Sequence, residues 1–140
     1  MNNVRRRIYL DTNILIYAVD GDPLYRARAQ DMLHSVEPET ELVSSELTLG
    51  ECLQGALRRG NHDSADVYRR LLFDREFITL APVTLPLIER AAELGASLTM
   101  KLIDSLHVAT AESCGCHLFM TNDRGIRAPA GLALRYLSDA

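Results

Sequence analysis

Short apolar runs that break off at polar or acidic residues, separated by longer segments with helical spacing, constrain this chain more than any other feature. Five runs read as strands: Arg7–Leu10, Glu41–Val43, Phe77–Leu80, His117–Met120 and Leu134–Leu137. The segment Asn13–Val19 is apolar at both strand and helix spacing, so periodicity leaves it open, although an Asp-Thr-Asn start suits a helix N-terminus. Asp22 and Pro23 form a clearer helix start, cap and first helical position, with Leu24, Ala27, Met32, Leu33 and Val36 on one face and Pro38 closing the segment. Ser44-Ser45 caps the best-patterned helix, whose stripe is Leu49, Cys52, Leu53, Ala56 and Leu57, and Gly60-Asn61 ends it. Another helix is predicted over Asp63–Arg75, with Ala65, Tyr68, Leu71 and Leu72 inward. Thr84–Leu98 carries Leu87, Ile88, Ala91, Ala92, Gly95 and Leu98 on one face. Its Gly95 gives up about 1 kcal/mol of helix propensity relative to Ala, and the missing side chain leaves room for a close neighbour. Leu102–Cys114 is the last helix, terminated by Gly115.

Strands alternating with helices predict an α/β fold in which helices cover both faces of a parallel sheet. In such sheets, sites form outside the carboxyl ends of the strands, where the strand order reverses. Two of the predicted strands release an acid at that end. Asp11 follows Ile8, Tyr9 and Leu10, and Asp123 follows Phe119, Met120, Thr121 and Asn122. A single acid there is usually a cap or turn residue; the repetition is what points to function. Thr12 and Thr121 add hydroxyls able to orient a carboxylate.

Two further acids lie on predicted helices. Glu51 sits at the boundary of the buried stripe, next to Cys52, whereas Glu46 is better explained as a favourable charge in a first helical turn. Asp104 lies near the start of its helix, where a dipole interaction would also account for it. His107 follows three residues later and shares its face; an ordinary partly buried or surface histidine accounts for it first, and a support behind the acids or a substrate contact is the functional alternative. Carboxylates gathered together respond by raised pKa values, by movement or by binding cations. Oxygen-only ligands select Mg²⁺ or Mn²⁺ over zinc. No GxxxxGK[ST] loop is present, which argues against a P-loop ATPase.

Composition sets the outer bounds. A length of 140 residues fits one domain, 1–140, with a proper core. No apolar run is long enough for a membrane span, and the basic start before Ile8 reads as a cytoplasmic first strand because Asp11, Thr12 and Asn13 interrupt the apolar stretch. Cys52, Cys114 and Cys116 read as reduced thiols; a zinc site with His107 or His117 lacks a second cysteine pair. A net charge of -4 argues against adhesion to long nucleic acid as the main task. It leaves room for an RNA substrate at an acidic site loaded with cations. Basic residues cluster at Arg5, Arg6 and Arg7, at Arg58 and Arg59, and at Arg69 and Arg70. The first five, with His107, are candidate contacts to RNA phosphates; solvated faces and helix ends explain each cluster equally well.

Four segments together resemble the PIN-domain ribonucleases, especially VapC-type toxins. They are Tyr9-Leu10-Asp11-Thr12-Asn13-Ile14-Leu15, Ser45 through Glu51, Lys101 through Ala109, and Phe119-Met120-Thr121-Asn122-Asp123. The resemblance implies a PIN-like three-layer α/β/α domain with a central parallel sheet. It also implies an acidic quartet of Asp11, Glu51, Asp104 and Asp123, supported by Thr121, Asn13 and Thr12. The implied activity is Mg²⁺- or Mn²⁺-dependent endonucleolytic hydrolysis of RNA. The implied partners are an antitoxin and a second copy of the chain. A nuclease of RNA maturation, or a PIN fold kept only as a binding scaffold, are the alternatives.

Overall fold

The computed structural model describes residues 5–139. Its elements run β1 (Arg7–Leu10), α1 (Thr12–Asp20), α2 (Pro23–His34), β2 (Glu41–Ser45), α3 (Glu46–Arg58) and α4 (His62–Leu72). They continue with β3 (Thr79–Ala81), α5 (Leu85–Leu98), α6 (Leu102–Ser113), β4 (Leu118–Thr121) and β5 (Ala133–Tyr136), then a closing 3₁₀ turn at Leu137–Asp139. All strand pairings are parallel, in the order β3-β2-β1-β4-β5. The chain builds outward from β1 to β3, then returns through α5 and α6 to lay β4 on the other side of β1. The order therefore reverses between β1 and β4.

Alternation along the strands sorts side chains into two cores. Ile8, Leu10, Leu42 and Met120 pack with α1, α2, α3 and α4, while Tyr9, Val43 and Phe119 pack with α5 and α6. Burial on both faces is why the strands read as unbroken apolar runs rather than alternating ones. Tyr9 and Phe119 stack at 4.9 Å between ring centres, joining β1 to β4 inside the second core.

Local chemistry sets the helix starts. The side chains of Asp22, Ser45, Asn61 and Thr84 accept backbone N–H groups in the first turns of α2, α3, α4 and α5. Asp20, at the end of α1, accepts hydrogen bonds from Ser64, Tyr68 and Arg59, which ties α1 to the α3–α4 pair. The cysteines Cys52, Cys114 and Cys116 are all free.

Several sequence expectations shift. Ser44 belongs to β2, and Ser45 alone caps α3. Leu24 and Ala27 are exposed because α2 rests on its neighbours through Ala29 and Met32. Leu57, in the last turn of α3, is exposed as well. In α5 the covered stripe is Leu87, Ala91, Leu94 and Leu98, which leaves Ile88 and Ala92 outside. The fourth helix stops at Leu72, not Arg75, because Asp74 takes over the chain. Its side chain accepts the Glu76 N–H and its carbonyl accepts those of Phe77 and Ile78, a turn that delays β3 to Thr79–Ala81.

The connection from α5 to α6 is three residues long and contains Thr99 in the left-handed conformation at φ 57°. It folds the two helices against each other at Gly95. A Cβ added there would stand 2.8 Å from Ser105 Oγ and 3.1 Å from the Met100 carbonyl. Gly95→Ala should therefore destabilise the protein by about 1–3 kcal/mol, although alanine is the better helix former by about 1 kcal/mol. Denaturant unfolding checks this, with Gly95→Ala/Ser105→Ala recovering part of the loss. A more stable Gly95→Ala protein would refute the close contact.

Candidate active site

Asp11 stands at the carboxyl end of β1 and is the N-cap of α1. Its Oδ1 accepts the Thr12 N–H at 2.9 Å, and its Oδ2 accepts Thr121 Oγ1 at 2.7 Å and Asn13 Nδ2 at 3.1 Å. Because β4 runs beside β1, Thr121 at the end of β4 meets Asp11 directly. Asn13 then reaches across to accept the Asn122 N–H at 2.9 Å. Thr121 Oγ1 also accepts the Asp123 N–H at 3.0 Å, and Asp123 Oδ1 accepts the Gly125 N–H at 2.8 Å. The two strand-end acids are thus fixed by one shared set of hydroxyl, amide and backbone groups at the point where the sheet order reverses.

The helix-borne acids approach from the two helical layers. Asp104 lies in the first turn of α6 and is partly exposed. Burial raises its carboxyl above the ordinary 3.8, and the charges of Asp123 and Asp11 push it further in the same direction. Burial likewise raises Asp11, against the electrostatic influence of His107 and the hydrogen bonds of Thr121 and Thr12, with Glu51 adding to the rise. Glu51, half-buried on α3, behaves differently. Burial pushes it up, but hydrogen bonds from His107 and Thr12 outweigh this and leave it below its ordinary value. The sequence-selected acids therefore differ: Asp104 feels the charges of Asp123 and Asp11, and Asp11 that of Glu51, whereas Glu51 itself is held down by hydrogen bonds from the protein.

The residues selected as substrate contacts are placed differently. His107 is buried at 2% exposure, with one ring nitrogen 2.6 Å from Tyr9 Oη and the other 2.7 Å from Glu51 Oε1, so it is not open to substrate. Arg5, Arg6 and Arg7 enter β1 at the end opposite Asp11, where Arg7 pairs with Glu41. Arg58 and Arg59 close α3, and Arg59 pairs with Asp20. None of these arginines is brought to the acids. His107 and then Lys101, the residue before α6, are the basic groups that partly offset the rise at Asp104. Sequence reading missed the part played by Tyr9, Ser44 and Thr48. The Thr48 hydroxyl stands 2.7 Å from Ser44 Oγ and 3.1 Å from Thr12 Oγ1. The available signal was a polar tip within Ile8-Tyr9-Leu10 and hydroxyls four residues apart across a helix start.

Among the described residues, no three His, Cys, Asp or Glu side chains already stand close enough to cage an ion. The site instead offers carboxylates near enough for the charges of Asp123 and Asp11 to act on Asp104, an oxygen donor set that suits a hard cation.

An all-parallel α/β/α domain with acids at its switch point is the class of protein defined so far, and the sequence narrows it. Residues 8–132 match the PIN domain, and the chain belongs to that family. No curated protein matches it. Among solved structures, FitAcB from Neisseria gonorrhoeae is similar at 20% identity and a TM-score of 0.72, over 95% of this chain and 99% of that one. A toxin-antitoxin complex from Klebsiella pneumoniae is similar at 20% identity and a TM-score of 0.68, over 90% and 95%. VapC20 of Mycobacterium tuberculosis, a sarcin-ricin loop cleaving toxin, is similar at 22% identity and a TM-score of 0.69, over 80% and 86%. These likenesses establish a shared fold.

The raised carboxyl of Asp104 makes a signed prediction. A folded-state pKa above the unfolded one favours folding in full below about 3.8, and that contribution is lost as pH rises through the folded value. Asp104→Asn should therefore melt at a higher temperature than the wild type at neutral pH without divalent ions. The gain should shrink as pH falls toward the ordinary carboxylate range. A variant that melts lower at every pH would show that Asp104 supports the fold instead of straining it.

Proposed function

We propose that this chain is an endoribonuclease dependent on a divalent cation, Mg²⁺ or Mn²⁺, and the toxin half of a toxin–antitoxin pair. The observation that carries the reading is the placement of Asp11 and Asp123 at the ends of adjacent strands, within electrostatic reach of Asp104. In this reading Asp11, Asp104 and Asp123 hold the cation, Glu51 completes the quartet, and residues 1–140 act as one nuclease unit. When bound, the cation activates water and neutralises charge on the phosphodiester. The protein supplies the frame. Thr121, Asn13 and the Thr12 amide orient Asp11 before any ion arrives. Two like charges 4 Å apart at an effective dielectric of about 20 repel by roughly 4 kcal/mol, a cost that a cation between them reverses.

Hydrolysis adds water to phosphorus and breaks the bond to the 3′ oxygen, which takes up a proton. The products are 5′-phosphate and 3′-hydroxyl ends. Lys101, beside Asp104, is better placed than the Arg58–Arg59 pair to meet a substrate phosphate.

The toxin assignment draws support from similar structures described as a toxin-antitoxin complex and as a sarcin-ricin loop cleaving toxin. An antitoxin segment needs apolar area to bury. The protein has an open groove of about 790 Å³ that includes Leu15, Val19, Leu33, Val67, Leu71 and Phe77. A homodimer and a cytoplasmic setting belong to the same reading. No helix among the described residues is long and apolar enough to cross a membrane.

The test is cleavage of a panel of structured RNAs with Mg²⁺ or Mn²⁺. Asp11→Asn and Asp104→Asn should each lose more than about a hundredfold in rate, beyond the upper end of what outer-shell partners cost. Undiminished cleavage by both variants would place the activity elsewhere. Inducible expression addresses the role. Growth arrest by the wild type, none by Asp11→Asn, and rescue by a co-expressed neighbouring small open reading frame are expected. Harmless expression of an active enzyme in a host with a cleavable target would favour RNA maturation.

A further inference from the structure

Glu51 and His107 belong to opposite helical layers, yet they meet over the carboxyl end of the sheet. Glu51 is carried by α3 in the layer packed on Ile8 and Leu10, and His107 by α6 in the layer packed on Tyr9 and Phe119. His107 Nε2 lies 2.7 Å from Glu51 Oε1, and Thr12 Oγ1 donates to the same oxygen at 2.8 Å. An ionised carboxylate only accepts, so Nε2 carries the hydrogen. In the neutral ring Nδ1 is then an acceptor, and the Tyr9 hydroxyl donates to it at 2.6 Å. Tyr9 is itself fully buried and stacked on Phe119. A ring so held cannot turn over without breaking two hydrogen bonds, the one to Tyr9 fully buried.

We propose that His107 is the positioning residue of this site: anchored by Tyr9, it holds Glu51 by Oε1 and leaves Oε2 as the oxygen that faces a cation. The proposal rests on the cation-dependent reading of the site and extends it to how the fourth acid is aimed. A glutamate side chain otherwise spreads over several rotamers, and fixing one oxygen removes that freedom before the ion binds. Charge-assisted hydrogen bonds of this kind are among the stronger ones available to a protein. Glu51 then contributes through one oxygen only, which distinguishes it from Asp104, whose carboxyl feels the charges of its neighbours directly.

The experiment measures Mn²⁺ binding by calorimetry and the His107 ring by nitrogen-detected NMR in the metal-free protein. His107→Leu should weaken Mn²⁺ binding by about 10- to 100-fold, the range seen when outer-shell partners of a metal site are removed. His107→Gln keeps a donor toward Glu51 and should retain most of the affinity, a rescue that loss of packing alone would not produce. In a Glu51→Gln background, His107→Leu should cause no further loss. Tyr9→Phe, which removes only the anchoring hydroxyl, replaces His107→Leu if that variant fails to fold, and should also weaken binding.

In the metal-free wild type, a slowly exchanging Nε2 proton should be visible and should disappear in Glu51→Ala. Its absence from the wild type would overturn the positioning role whatever the ion does. Wild-type affinity in a folded His107→Leu protein would overturn it as well. Wild-type protein that binds no Mn²⁺ while showing the Nε2 proton would instead sink the cation-dependent reading beneath it.

Discussion

The carboxylate of Asp11 is the point through which the architecture is tied together. It is almost fully buried, and it ends β1, caps α1 and takes the Thr121 hydroxyl of β4. Parallel strands that are not consecutive in sequence have no turn to set their relative height. Here the shared hydrogen bonds of Asp11, Thr121 and Asn13 bind the ends of β1 and β4 level with one another. A buried carboxylate is tolerable only when so well partnered, because an unpaired one would cost several kcal/mol. The interactions that make Asp11 affordable to the fold are also those that aim it at the crevice.

From that anchor, the two faces of the site follow from the two faces of the sheet. The α6 layer presents Asp104 at its first turn, and the α3 layer presents Glu51. Tyr9, His107, Thr12, Thr48 and Ser44 form a buried polar seam between the layers, ending on the Leu10 carbonyl at 2.8 Å from Ser44 Oγ. None of the buried side-chain polar atoms among the described residues lacks a partner. A satisfied network of this kind fixes one arrangement of the two layers, because any slip would strand several polar groups at once.

How much of this was legible depended on the range over which the causes act. The strands, the caps at Asp22 and Ser45, and the acids at two strand ends are local features, and the sequence displayed them directly. The packing room at Gly95 was also legible, since a glycine inside a helix asks for a reason. The faces of α2 and α5 were misread at Leu24, Ala27, Ile88 and Ala92 because small or apolar residues satisfy more than one helical stripe, and only the neighbour chooses between them. The end of α4 was misplaced because the Asp74 turn competes with an apolar run that continues through Phe73. Arg5, Arg6, Arg7, Arg58 and Arg59 could not be placed from clustering, which carries no information about which end of a strand or helix lies near the site. His107 shows the same limit. Its spacing from Asp104 put it on the acid-bearing helix, but its partners, Tyr9 and Glu51, lie 98 and 56 residues away in the chain.

On the proposed reading, the carboxyl ends of β1 and β4, together with the start of α6, form a cation site. A crystal soaked in Mn²⁺ and measured near the manganese absorption edge tests it most directly. An anomalous peak is expected in the crevice between β1 and β4, with oxygens of Asp11 and at least one of Asp104 and Asp123 as ligands, lost in crystals of Asp11→Asn. Ordered manganese bound elsewhere, with the crevice unoccupied at saturating Mn²⁺, would contradict it.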